Sequence, residues 1–168
     1  QTVIPGAVGL KNLGNTCYMN SAIQCLSNIP SLRDFFVTGD YLKTLNPQAS
    51  KTKGKLAQAF AELLQEMWAG EKKFVAPSNR KAVISQFSQQ FQGNAQQDSM
   101  ELLECLIDGI REECNEIKGQ QLYQSNEEVQ GCNEEELEKQ AVRNYMTRHK
   151  FRVDEYFLGY ISSVVTCP

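Results

Sequence analysis

One cysteine stands where a thiol could act as a nucleophile. Cys17 follows the polar turn KNLGNT and precedes apolar residues at steps of four and three, namely Met19, Ile23 and Leu26. This spacing predicts an amphipathic helix with Cys17 in or near its first turn. The unpaired N–H groups and the dipole of a first turn favour a thiolate over a thiol. The pattern therefore indicates a candidate nucleophile.

An oxyanion donor and an alternative role for the cysteine both follow from the same stretch. Asn12 and the backbone N–H groups around Cys17 could bind a developing oxyanion, and such donors are typically worth roughly 3 kcal/mol of barrier. The alternative is that Cys17 is a small buried hydrophobic residue at a helix start. Both interpretations are compatible with the residues alone.

Length and composition indicate one globular domain. The chain has 168 residues, 41% hydrophobic and 22% charged, which suits a single domain with its own core. A net charge of −3 without a Lys/Arg stripe argues against nucleic-acid binding. No apolar run is long enough to span a membrane. The absence of a signal peptide and of an initiator Met at Gln1 suggests an excised piece.

The cysteines indicate a reducing compartment. No CxxC pair occurs, and several thiols lie beside apolar residues at helical positions, which is typical of free cysteines. We therefore predict a cytosolic or nuclear protein. The six are Cys17, Cys25, Cys105, Cys114, Cys132 and Cys167.

The candidate site residues Cys17 and Asn12 must be positioned by the helices that the sequence predicts. Pro30 is expected to close the first helix and Ser31 to cap a second. Residues 38–55 are typical of a loop, and further helices are predicted from Leu56 and from Ser78 or Asn79. The most hydrophobic helix, predicted to be central to the core, contains Leu102, Leu103, Leu106, Ile107 and Ile110.

The spacing of the apolar residues changes in the last part of the chain. Residues 116–130 are too polar for confident order, and an acid-first helix then ends near His149. From 151 to 166 a period of two predicts a strand, so the expected class is mainly α with a C-terminal β-strand. A lone strand cannot pair its own backbone, so either the chain is incomplete or another segment pairs with it. The residues on one face are Phe151, Val153, Phe157, Ile161 and Val165.

The stretch GLKNLGNTCYMNSAIQCL resembles the cysteine box of the ubiquitin-specific proteases, which are papain-like deubiquitinating enzymes. The resemblance covers residues 9–26 and includes the rare run NLGNTCYMNS. It implies that Cys17 is the nucleophile and that Asn12 helps to form the oxyanion hole.

A second stretch, NAQQDSMELLECLID, resembles the next block of the same family. On the residues alone, Gln97, Asp98 and Glu101 simply cap the core helix, where the dipole favours carboxylates. The resemblance implies that Gln96 and Asp98 lie near the channel for ubiquitin's C-terminal tail. Asp98 could then pair with an arginine of that tail, because Arg–carboxylate pairs are directional.

The final block, AVRNYMTRHKFRVDEYFLGYISSVVTCP, resembles the family's helix and strand leading into its fingers. There Thr-Cys-Pro begins a four-cysteine zinc site, and Cys167 matches the first ligand. One cysteine does not hold structural zinc, which normally needs four ligands. We therefore expect no cofactor or metal in this chain.

A general base is missing from the sequence. A cysteine nucleophile needs an imidazole and a group that orients it. The single histidine, His149, lies at the basic end of a helix and is interpreted as a solvated dipole partner. The family's histidine box does not occur. The resemblance thus implies half of a papain-like α+β domain, with a helical thumb over 1–150 and the start of the fingers and palm sheet over 151–168.

The predicted function is hydrolysis of the isopeptide or peptide bond after ubiquitin's C-terminal glycine. The expected partners are ubiquitin, ubiquitinated proteins and the missing C-terminal half of the domain, with no nucleic acid and no membrane. Two alternatives remain open: a non-catalytic ubiquitin-binding or scaffold module, and a helical interaction domain unrelated to ubiquitin.

Overall fold

Helices form most of the described part of each of the two units into which the chain divides. A computed structural model describes residues 3–118, 133–152, 154–161 and 163. The first unit is Gln1–Glu116 and the second is Ile117–Pro168. Within the described ranges, no helix is both long and apolar enough to cross a membrane.

The first unit contains two short strands, six α-helices and a 3₁₀ turn among its described residues. In chain order they are β1 Gly9–Leu10, α1 Cys17–Ser27, α2 Pro30–Val37, α3 Tyr41–Thr44, α4 Lys55–Trp68, β2 Phe74–Val75, α5 Ser78–Phe87, the 3₁₀ turn Gln89–Phe91 and α6 Ser99–Glu113.

Helix α4 lies at the centre of this unit. It packs against α2, α5 and α6, whereas α6 packs chiefly against α1 and α4. The side chains of Leu63, Leu64 and Met67 are fully buried. The expectation that the most hydrophobic stretch is the central helix is therefore wrong, because α4 buries its alanines as well and so admits neighbours on several sides.

The two strands form a parallel sheet that the sequence pattern did not predict. Gly9 is opposite Phe74 and Leu10 is opposite Val75. The N–H of Gly9 donates to the carbonyl of Lys73 at 2.9 Å. Each strand has two residues, too few to show a period of two.

A buried carboxylate joins α6 to the start of α4. The Glu113 side chain is 0% exposed and accepts hydrogen bonds from the N–H groups of Gly54 at 3.0 Å and Ala57 at 2.8 Å. The hydroxyls of Ser50 and Thr52 also donate to it. Gly54 is the N-cap of α4 and Ala57 lies in its first turn, so neither N–H has a partner within that helix. Glu113 therefore caps α4 from another helix.

Two predicted boundaries in the first unit differ from the structure. Helix α1 ends at Ser27, and Pro30 begins α2 instead of closing α1. Proline suits the first position of a helix because its missing N–H would be unpaired there anyway. Ser31 is consequently inside α2 and is not its cap. The predicted loop over 38–55 contains the short helix α3.

The second unit contains α7 Glu134–Met146 and α8 Asp154–Phe157. As predicted, α7 begins with acidic residues, and the side chain of Asn133 caps it by accepting from the N–H of Glu136 at 2.9 Å. The helix ends at Met146, so His149 lies just beyond it.

The predicted C-terminal strand is wrong where the structure tests it. Residues 154–157 form α8, and the N–H of Leu158 donates to the carbonyl of Asp154 at 2.8 Å. A segment without a strand partner satisfies its backbone locally in this way. Val153 and Val165 lie outside the described residues, as do residues 119–132, which include most of the predicted polar segment.

Removing the carboxylate of Glu113 should destabilise the first unit. Glu113→Ala leaves the buried N–H groups of Gly54 and Ala57 without an acceptor, so we expect the free energy of unfolding to fall by about 3 kcal/mol. Urea unfolding of the chain measures this change. Glu112→Ala removes an exposed carboxylate next to it and should change the value by less than about 0.5 kcal/mol. Equal effects of the two substitutions would contradict the capping role.

Candidate active site

Cys17 is the first residue of α1 and its side chain is exposed. The apolar residues Met19, Ile23 and Leu26 are each 1% exposed, so the predicted stripe anchors α1 in the core. The alternative of a buried structural cysteine is wrong. The first turn of α1, whose residues are all described, contains no acidic residue that would repel a thiolate.

The turn before Cys17 is organised around the side chain of Asn12. Its Oδ1 accepts from the N–H of Gly14 at 2.9 Å and from the N–H of Thr16 at 3.2 Å. The hydroxyl of Thr16, a fully buried residue, lies 3.2 Å from the same oxygen and accepts from the N–H of Leu13 at 2.9 Å. Gly14 and Asn15 have φ angles of 101° and 50°, which suit glycine and asparagine in a tight turn.

This bonding fixes which way the Asn12 amide faces. Two backbone N–H donors require the oxygen of the side chain on the inner side of the turn. The amide nitrogen of Asn12 must therefore lie on the other side, and Asn12 is exposed. A hydrogen-bond donor is thus held beside the start of α1, as an oxyanion site requires.

The two sequence motifs meet at this point. The Nδ2 of Asn15 donates to the carbonyl of Asn94 at 3.0 Å, and Lys81 donates to the side chain of Asn94 at 2.8 Å. Behind them the ring of Tyr18 stacks on Phe91 with centroids 6.1 Å apart. Burial, and to a lesser extent Cys17, raises the pKa of Tyr18, so its phenol stays neutral at neutral pH.

Asp98 is the N-cap of α6, as the interpretation from the residues alone expected. Its Oδ1 accepts from the N–H groups of Met100 at 2.6 Å and Glu101 at 3.4 Å. No hydrogen bond to its Oδ2 occurs among the residues that the structure describes, and both Asp98 and Gln96 are exposed. The cap therefore uses only one of the two carboxylate oxygens of Asp98.

The other described thiols differ from Cys17 in exposure. Cys25 is exposed, Cys105 is half-buried and Cys114 is buried. Burial raises the pKa of Cys105, and burial together with the neighbouring Glu113 raises the pKa of Cys114 to about 12. Both thiols are therefore protonated and poorly reactive at neutral pH.

The single histidine and the cysteine that matches a zinc ligand both lie outside the first unit. His149 belongs to the second unit, where its ring lies 4.7 Å from that of Tyr145. Cys167 lies outside the described residues. The first unit therefore contains the candidate nucleophile Cys17 and the candidate oxyanion donor Asn12, whereas the single histidine of the chain lies in the second unit.

Sequence reasoning missed two amide side chains on α1. Asn20 and Gln24 donate to backbone carbonyls of the segment that contains β1. A signal for them was present, because polar amides four residues apart occupy one side of an otherwise apolar helix. Their partners are backbone groups, which no residue pattern reveals.

Comparisons with known proteins agree with one another. The family model "Ubiquitin carboxyl-terminal hydrolase" matches residues 8–168. The chain is similar to ubiquitin carboxyl-terminal hydrolase 4 of Bos taurus, with 40% identity over 99% of the chain. It is also similar to ubiquitin carboxyl-terminal hydrolase 15 of Homo sapiens, with 38% identity over 98% of the chain. It spans 17% of the length of each relative.

The exposure of the thiols predicts an order of alkylation. With iodoacetamide at neutral pH, Cys17 should react more than about a hundredfold faster than Cys114, whose thiolate fraction is very small. Peptide mass spectrometry at successive times measures each rate. Cys25 is the control for exposure alone, because it lies far from the first turn of α1. Cys17 reacting no faster than Cys25 would show that its position gives no activation.

Proposed function

Because the chain belongs to the ubiquitin carboxyl-terminal hydrolase family, we propose that it carries the nucleophile of a thiol-dependent deubiquitinase. The substrate is the isopeptide or peptide bond after the C-terminal glycine of ubiquitin. The observation that carries the proposal is the exposed Cys17 at the first position of α1, directly after a turn that presents the amide of Asn12.

The first half of the reaction forms a thioester. The thiolate of Cys17 attacks the glycine carbonyl carbon, so that a C–S bond forms and the carbonyl π pair moves onto oxygen. The amide of Asn12 and the N–H groups at the start of α1 stabilise this oxyanion. When the oxyanion collapses, the C–N bond breaks and the leaving amine takes a proton from an imidazolium.

The second half releases ubiquitin. An imidazole removes a proton from water, the resulting hydroxide attacks the thioester, and the C–S bond breaks to return the thiolate of Cys17. We assign this imidazole to a histidine-bearing partner segment of the catalytic domain, because the ring of His149 lies 4.7 Å from that of Tyr145, just beyond the end of α7. The proposed chemistry needs no metal or cofactor.

The loop before α6 is proposed to bind the tail of ubiquitin. Asp98 and Gln96 are exposed beside the turn of the cysteine motif, to which Asn94 is hydrogen-bonded. The second carboxylate oxygen of Asp98 would pair with an arginine of the extended tail. The proposed partners are therefore ubiquitin and ubiquitinated proteins, and the free thiols favour a cytosolic or nuclear location.

A ubiquitin with a C-terminal electrophile tests the proposed nucleophile. The chain, expressed together with the family's histidine-bearing segment, should form one covalent adduct at Cys17, detected by intact mass and peptide mapping. Cys17→Ala should abolish the adduct and reduce hydrolysis of a ubiquitin amide by at least about 10⁴-fold. Cys25→Ala is the matched control and should retain both.

Other outcomes separate the alternatives. Ubiquitin binding by titration that is equal in the unsubstituted protein and Cys17→Ala, without any turnover, would replace the proposal with a non-catalytic binding module. Absence of both binding and labelling would favour a helical interaction domain unrelated to ubiquitin.

Asp98 offers a test of substrate recognition that is independent of capping. Asp98→Asn keeps a good N-cap but removes the charge, so KM for a ubiquitin substrate should rise about tenfold while stability changes little. Asp98→Ala should raise KM similarly and also lower the unfolding free energy by about 1 kcal/mol. Steady-state kinetics and urea unfolding measure the two effects. An unchanged KM in Asp98→Asn would leave Asp98 with its capping role alone.

A further inference from the structure

Two amides of α1 clamp the strand that leads to Asn12. The Nδ2 of Asn20 donates to the carbonyls of Leu10 at 3.1 Å and Lys11 at 3.4 Å, and the Nε2 of Gln24 donates to the carbonyl of Val8 at 2.7 Å. We call Asn20 and Gln24 together the amide clamp. The clamp joins the helix that begins with the nucleophile to the segment that ends with the oxyanion donor.

The clamp fits because the spacing of the two amides along α1 is close to the spacing of two alternate carbonyls along a strand. Side chains four residues apart on a helix are separated by about 6 Å along its axis. Carbonyls two residues apart on a strand point to the same edge and are separated by about 6.6 Å. Asn20 and Gln24 therefore meet Leu10 and Val8 in register.

The other edge of β1 is fixed as well. The N–H groups of Gly9 and Lys11 donate to the carbonyls of Lys73 and Val75 at 2.9 and 2.8 Å. Strand β1 is thus held between β2 on one side and α1 on the other. Only Lys11 separates β1 from Asn12, so the position of β1 along α1 determines where the Asn12 amide lies relative to Cys17.

The stability of α1 does not by itself explain the amide at residue 20. The Oδ1 of Asn20 is buried and has no hydrogen-bond partner among the described residues. A buried acceptor without a donor opposes folding. An asparagine at this position is therefore better explained by what its nitrogen holds.

We propose that Asn20 and Gln24 are positioning residues, which hold Asn12 at the distance from Cys17 that oxyanion binding requires. This inference rests on the proposed function. Asn20 has the larger role, because it bonds Leu10, two residues before Asn12, whereas Gln24 bonds Val8, four residues before it.

A double-mutant cycle with Asn12 tests the inference in the chain expressed with its histidine-bearing segment. Asn20→Ala should lower kcat for a ubiquitin amide about tenfold to a hundredfold while KM changes less than about twofold, and Gln24→Ala should lower it less. In an Asn12→Ala background, Asn20→Ala should cause little further loss, because the donor that it positions is already absent. Asn20→Asp keeps the size but removes the donor, and should behave like Asn20→Ala.

Alkylation distinguishes positioning from general damage. Displacement of iodide by the Cys17 thiolate forms no oxyanion, so its rate should stay within about twofold in Asn20→Ala. Asn28→Ala is the matched control, because this amide on the same helix bonds only within the last turn of α1. It should retain kcat.

Three results would overturn the positioning role: losses from Asn12→Ala and Asn20→Ala that multiply, alkylation of Cys17 that falls together with kcat, or full activity in Asn20→Asp. Absence of turnover and of Cys17 labelling in the unsubstituted protein would instead show that the proposed function is wrong, and the positioning role would fall with it.

Discussion

The buried carboxylate of Glu113 is the constraint on which the first unit depends. It satisfies the backbone donors at the start of α4 and the hydroxyls of the preceding turn, so α4 and α6 meet at a fixed point. Helix α6 extends about 22 Å from there to Asp98, beside the turn that precedes Cys17. An interaction at one end of a helix thereby sets the position of a candidate substrate contact at the other. Because a buried carboxylate is costly unless it is fully hydrogen-bonded, this arrangement has few alternatives.

Helix α1 shows how one short segment can satisfy three demands. Its apolar face, which includes Met19 and Ile23, enters the core, the face with Asn20 holds β1, and Cys17 remains exposed. Burial of the apolar face stabilises the helix. The amides fix its orientation relative to β1, because a hydrogen bond has a preferred geometry and an apolar contact does not. Cys17 therefore begins a helix that is anchored in the core and is itself exposed.

The features that were predictable from sequence are those that depend on local periodicity. The helices α1, α4 and α6 follow from their apolar spacing, and Cys17, Asn12 and the cap at Asp98 follow from residue types near helix starts. Strands β1 and β2 were missed because each has two residues and their pairing joins segments far apart in the chain. The strand predicted at 154–157 was wrong because alternation does not supply a pairing partner. The role of Asn20 was hidden since its acceptor is a backbone carbonyl.

The oxygen and the nitrogen of the Asn12 carboxamide have different roles. The oxygen shapes the backbone by accepting from Gly14 and Thr16, whereas the nitrogen faces outward. An aspartate at this position would still accept the hydrogen bonds from Gly14 and Thr16. Its second oxygen, however, would repel negative charge, whereas the amide NH₂ attracts it. In the proposed reaction, an aspartate here would remove the stabilisation of the oxyanion without changing the shape of the loop.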